Sequence, residues 1–173
     1  MEALECMLTR KSVKKYKSDP VPKELLEKII QAGLNAPSGL NKQAAVILAV
    51  TDRQVRDELS KLNAGKDPFF RADPFYGAPV VLVVLADKSV PTYLYDGSLV
   101  MENLQLAAHA LGLGACWIHT AKQVSETEAG KKILEVANIN GEYEGIGFCV
   151  LGIPDDIPQK ELQRKSNYVY YLK

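Results

Sequence analysis

Four stretches of the chain hold side chains whose types and spacing could do chemistry. The first is "RKSVKKYK", Arg10 to Lys17, with five basic residues in eight and no acid. Arg10 and Ser12 could hydrogen-bond one phosphate, the guanidinium as a fork and the hydroxyl as a single group. Lys14 could add a point charge; the competing possibility is a solvated basic loop. The second is "NAPSGLNKQ", Asn35 to Gln43, where a proline, a serine, a glycine, two asparagines and a glutamine share nine positions. A plain polar turn after a helix ending at Asn35 explains the proline and the glycine but not the density of amides. The third is "GLGACWIHT", whose Gly112-x-Gly114 looks briefly like a dinucleotide fingerprint. That fingerprint leaves a strand and opens a helix, and here the order is reversed, so Gly112 reads as a helix C-cap. The fourth is Asn63 with Lys66, at the opening of a long loop. A lysine beside a planar heterocycle can stabilise negative charge on it; an exposed lysine in a glycine-containing loop is the plainer alternative.

Other chemistries are poorly represented. His109 and His119 have no nearby cysteine or paired carboxylates, so a metal site is not expected. Ser38 lacks a nucleophile elbow, and no G-x-x-x-x-G-K-[ST] loop is present. With no acid–base pair and no evident nucleophile, an enzyme built on this chain would leave the hard chemistry to a bound cofactor.

The elements that must position these residues follow from apolar spacing. Leu4, Met7 and Leu8 make a short helical stripe. A second helix starts near Pro22 and Glu24 and carries Leu25, Leu26, Ile29, Ile30 and Leu34 on one face. "AVILAVT" reads as a buried strand, and Asp52 then caps a helix bearing Val55, Leu59 and Leu62. "NAGKDPFFRADPFYGAP" is a long loop, and loops of that length in compact domains are usually functional or disordered. Strand "VVLVVLA", a long helix ending at Gly112, strand "ACWIHT" and strand "GIGFCVLGI" complete the pattern. A capping box at Ser125 and Glu128 opens one more helix through Ile133, Leu134 and Val136. The last residues, from Pro154, have no helical period and end in "YVYYL", an expected edge strand of the chain's own sheet or of a neighbour's.

Bulk properties narrow the classes. A chain of 173 residues with 47% hydrophobic content suits a single domain, residues 1–173, with its own core. Lys+Arg and Asp+Glu both count 21, which argues against a general nucleic-acid or membrane-surface binder. Three scattered cysteines without C-x-x-C point to a reducing, cytoplasmic setting. No charged start leads into an apolar stretch, so no signal peptide is expected, and the apolar runs are too short to span a bilayer.

The order of "RKSVKKY", "APSGLNKQ", "YGAPVVLVV", "NLQLAAHALGLGACWI" and "VLGIPDD" resembles the FMN-dependent nitroreductase family in its short form, over nearly the whole chain. The resemblance implies an α+β, three-layer fold: a central, mostly antiparallel sheet flanked by helices, in an intertwined homodimer. Two FMN molecules would sit at the interface, with the tail, about 154–173, crossing to the partner. It implies a flavin oxidoreductase passing electrons from NADH or NADPH to a small acceptor, such as a nitroaromatic or quinone, by ping-pong hydride transfer through flavin N5. Under it, Arg10, Lys11 and Ser12 hold the FMN phosphate, ribityl chain and pyrimidine edge, and Lys14 sits near N1 and O2. Asn63 and Lys66 lie beside the flavin, and His119 and Thr120 bring backbone N–H groups to N5 and O4. Pro37, Ser38, Gly39 and Asn41 face the partner's flavin, and Arg164 or Lys165 pairs with the phosphate. Pro37 would then stiffen a turn whose Ser38 and Gly39 let backbone approach a flat ring. One departure stands out: Ala44 and Ala45 follow Gln43 where the family often carries a bulky ring. Phe69, Phe70, Phe75 and Tyr76 would border the open flavin face or pack at the dimer interface. The alternatives are a flavin carrier or sensor without NAD(P)H turnover, another chemistry on the same fold, and a colourless interaction domain whose basic loop binds an anionic partner.

Overall fold

The computed structural model describes residues 1–66, 69, 72–159 and 163–172. Its elements, in chain order, are α1 (Ala3–Thr9), α2 (Lys23–Leu34), a single 3-10 turn (Gly39–Asn41), β1 (Ala45–Val50), α3 (Arg53–Ala64) and β2 (Val80–Asp87). Then follow α4 (Tyr93–Ala110), β3 (Gly114–Ile118), α5 (Ala121–Ser125), α6 (Glu128–Val136) and β4 (Tyr143–Gly152). The four strands form one sheet in the order β1-β2-β4-β3, every neighbouring pair antiparallel. The α+β expectation holds.

Strand alternation sorts the apolar side chains onto two faces. Leu82, Val84 and Ala86 of β2, with Cys149 and Leu151 of β4, point to the α2 and α4 layer, where they meet Ile29, Met101, Leu104 and Ala108. Val81, Val83 and Leu85, with Phe148 and Val150, point the other way onto Leu59, Ala121 and Val124. The result is helix, sheet, helix: three layers, as the resemblance implied. Both faces of β2 are covered, which is why "VVLVVLA" is an unbroken apolar run. Each fully buried leucine or methionine of these faces contributes about 1.5–3 kcal/mol. Register slips between Val84 and Leu85, which face Gly147 and Gly145, so β4 carries one extra residue there.

Some expectations need correction. "AVILAV" is not a buried strand: β1 lies at the sheet edge and is only half-covered. Its apolar run comes from lying on one neighbour with partial cover above and below. The helix after residue 125 is not opened by a Ser125–Glu128 capping box. Ser125 ends a five-residue helix, α5, and its hydroxyl donates to Lys122 O and accepts from Gly145 N–H. Thr127 is the N-cap of α6, its hydroxyl accepting from Gly130 N–H at 3.0 Å. Other signals are met. Asp52 caps α3 through Gln54 and Val55 N–H, and Gly112 follows α4 at φ 78, a value glycine adopts without strain.

The tail forms no strand among its described residues; Tyr168, Val169, Tyr170, Tyr171 and Leu172 stand in solvent. Leu4, Met7 and Leu8 of α1 are also exposed, while Cys6 is the residue α1 buries. No helix among the described residues is long and apolar enough to cross a membrane.

Candidate active site

The sheet is open at β3, and the segment after α1 covers only part of that edge. Val13 N–H donates to Ala115 O at 3.0 Å, and Ser12 bridges Ala115 in parallel. Farther on, Lys17 N–H donates to Ile153 O at 2.9 Å, Asp155 N–H donates to Lys15 O at 3.0 Å, and Lys15 pairs with Asp155. From Ser12 to Lys14 the extended run alternates sides, and the alternation is broken before Tyr16. Val13 and Tyr16 turn to protein: Val13 is buried, and the Tyr16 hydroxyl donates to Val13 O at 2.6 Å. Burial pushes the Tyr16 phenol well above its usual range, so it stays a neutral donor. Ser12 and Lys14 turn outward, into a cleft.

That cleft, about 490 Å³, is lined by Ser12, Lys14, Lys66, Phe69, Tyr76, residues 116–120 and Gln123. Its size is ordinary for a cofactor or small-molecule site. The back wall is the uncovered end of β3. Because Ala115 O faces the outer edge, antiparallel alternation turns the Trp117 backbone to that same edge, beside the cleft. His119 and Thr120 form the turn from β3 into α5. The C-terminal turn of α3 supplies Asn63 and, just beyond it, Lys66. The Lys14 ammonium stands 5.8 Å from the centre of the Tyr76 ring.

Several expected residues thus converge: Ser12, Lys14, Lys66, His119 and Thr120 share one cleft. Asn63 stands behind them. It is 0% exposed, its carbonyl oxygen accepts from the Thr120 hydroxyl, and its amide N–H group has no acceptor among the described residues. A buried amide donor without an acceptor is unfavourable, and a polar ligand reaching the Thr120 end of the cleft would relieve it. Arg10 does not line the cleft. Its Nε lies 3.5 Å from Glu102 of α4, and its buried Nη1 is also without an acceptor. These unsatisfied donors and the pair of lysines fit a flat, anionic, hydrogen-bonding group such as FMN. Lys11 is half-exposed between Arg10 and Ser12.

The other expected residues lie elsewhere in the chain. Pro37 and Ser38 line a smaller hollow with Asp96 and Val100, near α4. Gly39 N–H donates to Asp96 Oδ1 at 3.0 Å, and a Cβ on Gly39 would lie 2.4 Å from Thr92 Oγ1, so only glycine fits. Gln43 N–H donates to the Ser38 hydroxyl, the Gln43 side chain donates to Asn41 Oδ1, and Asn35 Nδ2 donates to Gln31 O. The amide density of this stretch therefore has partners within the chain itself. The backbone remains unusual: Leu40, Asn41 and Gln43 have φ of 51, 54 and 50, and Leu40 is 93% exposed. Arg164 and Lys165 are exposed in the tail, where the Lys165 ammonium lies 5.4 Å from the Tyr168 ring centre. His109 is a satisfied edge residue: Thr9 donates its hydroxyl to Glu5 O and lies 2.8 Å from His109 Nε2.

The aromatic loop divides. Phe69 and Tyr76 line the cleft. Phe75 neither borders it nor awaits a partner; it is wholly buried, edge-on to Phe148 at 5.1 Å. Phe70 lies outside the described residues. Trp117 and Gln123 were not picked out from the sequence. Trp117 was legible only as part of a strand, and Gln123 sits on a helix too short to show a period.

The Nitroreductase family profile matches residues 7–68 and 64–153. An NADPH-flavin oxidoreductase of Vibrio harveyi is 32% identical over 182 residues, 97% of this chain and 72% of that protein. A provisionally named NADH dehydrogenase/NAD(P)H nitroreductase of Methanothermobacter thermautotrophicus is 32% identical over 126 residues, 68% of this chain but only 60% of that protein's length. Among solved structures, an FMN-dependent nitroreductase of Clostridium difficile R20291 is 29% identical with a TM-score of 0.81, over 97% of this chain and 98% of that one. A Bacteroides fragilis nitroreductase with bound FMN shares the fold at a TM-score of 0.91, with 24% identity and full coverage of both chains. With the profile spanning both the cleft segments and the sheet, the chain belongs to the nitroreductase family.

Proposed function

We propose that this chain is a flavin oxidoreductase that holds FMN in the β3 cleft and passes electrons from NADH or NADPH to a small acceptor such as a nitroaromatic or a quinone. One observation carries the proposal: Ser12, Lys14, Lys66, His119 and Thr120, drawn from three separate parts of the chain, meet in one cleft at an open sheet edge. The relatives named for FMN and NAD(P)H support it. When bound, FMN supplies the two-electron transfer between the nicotinamide donor and the acceptor.

The chain's own groups supply binding and charge. Lys14 and Lys66 favour negative charge at the end of the cleft they share. Backbone N–H groups at His119 and Thr120 donate to the polar edge of the ring, with Asn63 fixing Thr120 from behind. Arg10, Lys11 and Ser12 hold the phosphate and ribityl chain. The protein acts as a homodimer in which Pro37, Ser38, Gly39 and Asn41 face the partner's cleft. The tail crosses over, bringing Arg164 or Lys165 to the phosphate. Exposed Leu4, Met7, Leu8 and Leu40 and the apolar end of the tail support this, since single chains seldom leave so much apolar surface in water. Three buried cysteines, none in a disulfide, fit a reducing cytoplasm.

The test is the visible absorption spectrum of the purified protein, before and after NADH or NADPH is added without oxygen. A yellow protein that bleaches supports the proposal. A yellow protein that bleaches with neither donor makes it a flavin carrier or sensor. A colourless protein that also refuses added FMN overturns the cleft assignment and leaves an interaction domain.

A further inference from the structure

Tyr76 is held in an unfavourable conformation by a partly buried ionic clamp. Its φ is 56, a region that bulky side chains rarely occupy. Such strain persists only where the surroundings over-determine it, and such positions gather at functional sites. Here the surroundings are the Asp73 carboxylate. It accepts from Phe75 N–H at 3.0 Å and from Gly77 N–H at 2.7 Å, gripping the backbone on both sides of Tyr76. It also accepts from the Ser60 hydroxyl and from Arg56 Nη2, both at 2.6 Å. Arg56 is 4% exposed; its Nε donates to Ala78 O at 3.0 Å, and its guanidinium lies 5.5 Å from the Phe75 ring centre. The turn from Asp73 to Ala78 is thus bolted to α3 and wedged into the core by Phe75. Only the Tyr76 ring leaves it toward the cleft, where it meets the Lys14 ammonium.

We infer that Asp73, Arg56 and Ser60 are positioning residues for the proposed reaction: they fix the Tyr76 ring in the cleft wall, and that ring in turn holds the Lys14 ammonium over the bound cofactor. The inference rests on the proposed function. A cation against a ring face gains from a fixed ring, because a rotating one would average the attraction away. A turn that existed for stability alone would not need a tyrosine at a position that glycine fills without strain.

The experiment is a double-variant cycle on the full chain: parent, Asp73→Asn, Tyr76→Gly and the two combined, with Tyr76→Phe beside them. Each protein is titrated with FMN by quenching of flavin fluorescence. Each is then loaded, reduced by NADH or NADPH in anaerobic stopped flow, and melted. Tyr76→Gly removes the positive-φ strain but gives up the ring's packing on the core, so its Tm moves little. Its reduction is nonetheless about three- to thirty-fold slower, from the lost cation–ring contact. Tyr76→Phe keeps the ring face and recovers most of that loss. Asp73→Asn lowers Tm in both backgrounds but slows reduction only where Tyr76 is present. Should Asp73→Asn fail to fold, Ser60→Ala takes its place in the cycle. Tyr76→Gly with the parent's FMN affinity and reduction rate overturns the inference while leaving the proposed function standing. So does an Asp73→Asn effect of equal size in both backgrounds. A parent that takes up no FMN overturns the proposed function, and this inference with it.

Discussion

Ser12 and Lys14 owe their place to the valine between them. Val13 is pinned by its N–H to Ala115 O and buried by its side chain, so its two neighbours have only the cleft to face. The role of each basic residue can then be separated. Lys14→Ala removes the ammonium beside Tyr76 without touching the edge hydrogen bond. FMN should still bind, but reduction by NAD(P)H in anaerobic stopped flow should slow, and an unchanged rate would remove Lys14 from the chemistry. Arg10→Ala should act on affinity instead. Its pair with Glu102 is partly exposed and adds little stability, whereas a charge-assisted hydrogen bond to phosphate is worth roughly 1.5–3 kcal/mol. FMN binding should weaken about ten- to a hundred-fold, read by equilibrium dialysis. At this scale, the sequence showed Ser12 and Lys14 through type and spacing. It could not show that Asn63 meets Thr120, because a hydrogen bond across 57 residues leaves no local pattern.

The elements were legible where burial imposed a period. The α2 face, the extent of α4 and the two central strands were plain, and Asp52 announced α3 by its side chain. α5 was invisible because five residues cannot display a 3.6 period. Its absence from the reading moved the cap of α6 from Thr127 to Ser125. The difference is measurable. Thr127→Ala should lower stability by about 1 kcal/mol, a Tm change of about 2–4 °C for a chain this long. The turn held by Asp73 gives a second test. Burial alone would raise the Asp73 carboxyl, but hydrogen bonds from Arg56, Ser60 and Gly77 N–H outweigh it and hold it below the usual carboxylate range. A depressed folded-state value gives stability that is fully present above the unfolded pKa of about 3.9 and is lost as pH falls through the folded one. Asp73→Asn should therefore lower Tm at neutral pH and flatten its fall below about pH 4. A parallel fall in both proteins would deny Asp73 that part.

For the whole molecule, composition and apolar pattern pointed to one domain of mixed helices and strands, and the resemblance supplied the α+β layers. What neither could supply was the use of the surface left open. The stripe on α1, the held-out Leu40 and the apolar end of the tail are all unsatisfied in one chain. If the homodimer is right, Leu8→Asp should lower the sedimenting mass toward that of a single chain, and FMN affinity should fall with it, since both clefts would lose the loop from Pro37 to Asn41. A monomeric parent that binds FMN fully would separate the cofactor from the assembly.

The three cysteines are buried, outside any disulfide, in three different elements. Cys6 is in the first helix, Cys116 in the edge strand behind the cleft, and Cys149 in an inner strand with no exposed surface. Burial also raises the Cys149 thiol far above its ordinary range, so it cannot react while the sheet is intact. A thiol-specific reagent added to the native protein would therefore clock its breathing. Fraying of the first helix would unmask Cys6, loosening of the sheet edge Cys116, and only global opening Cys149. Cofactor seated against the edge strand should slow the second reaction far more than the first.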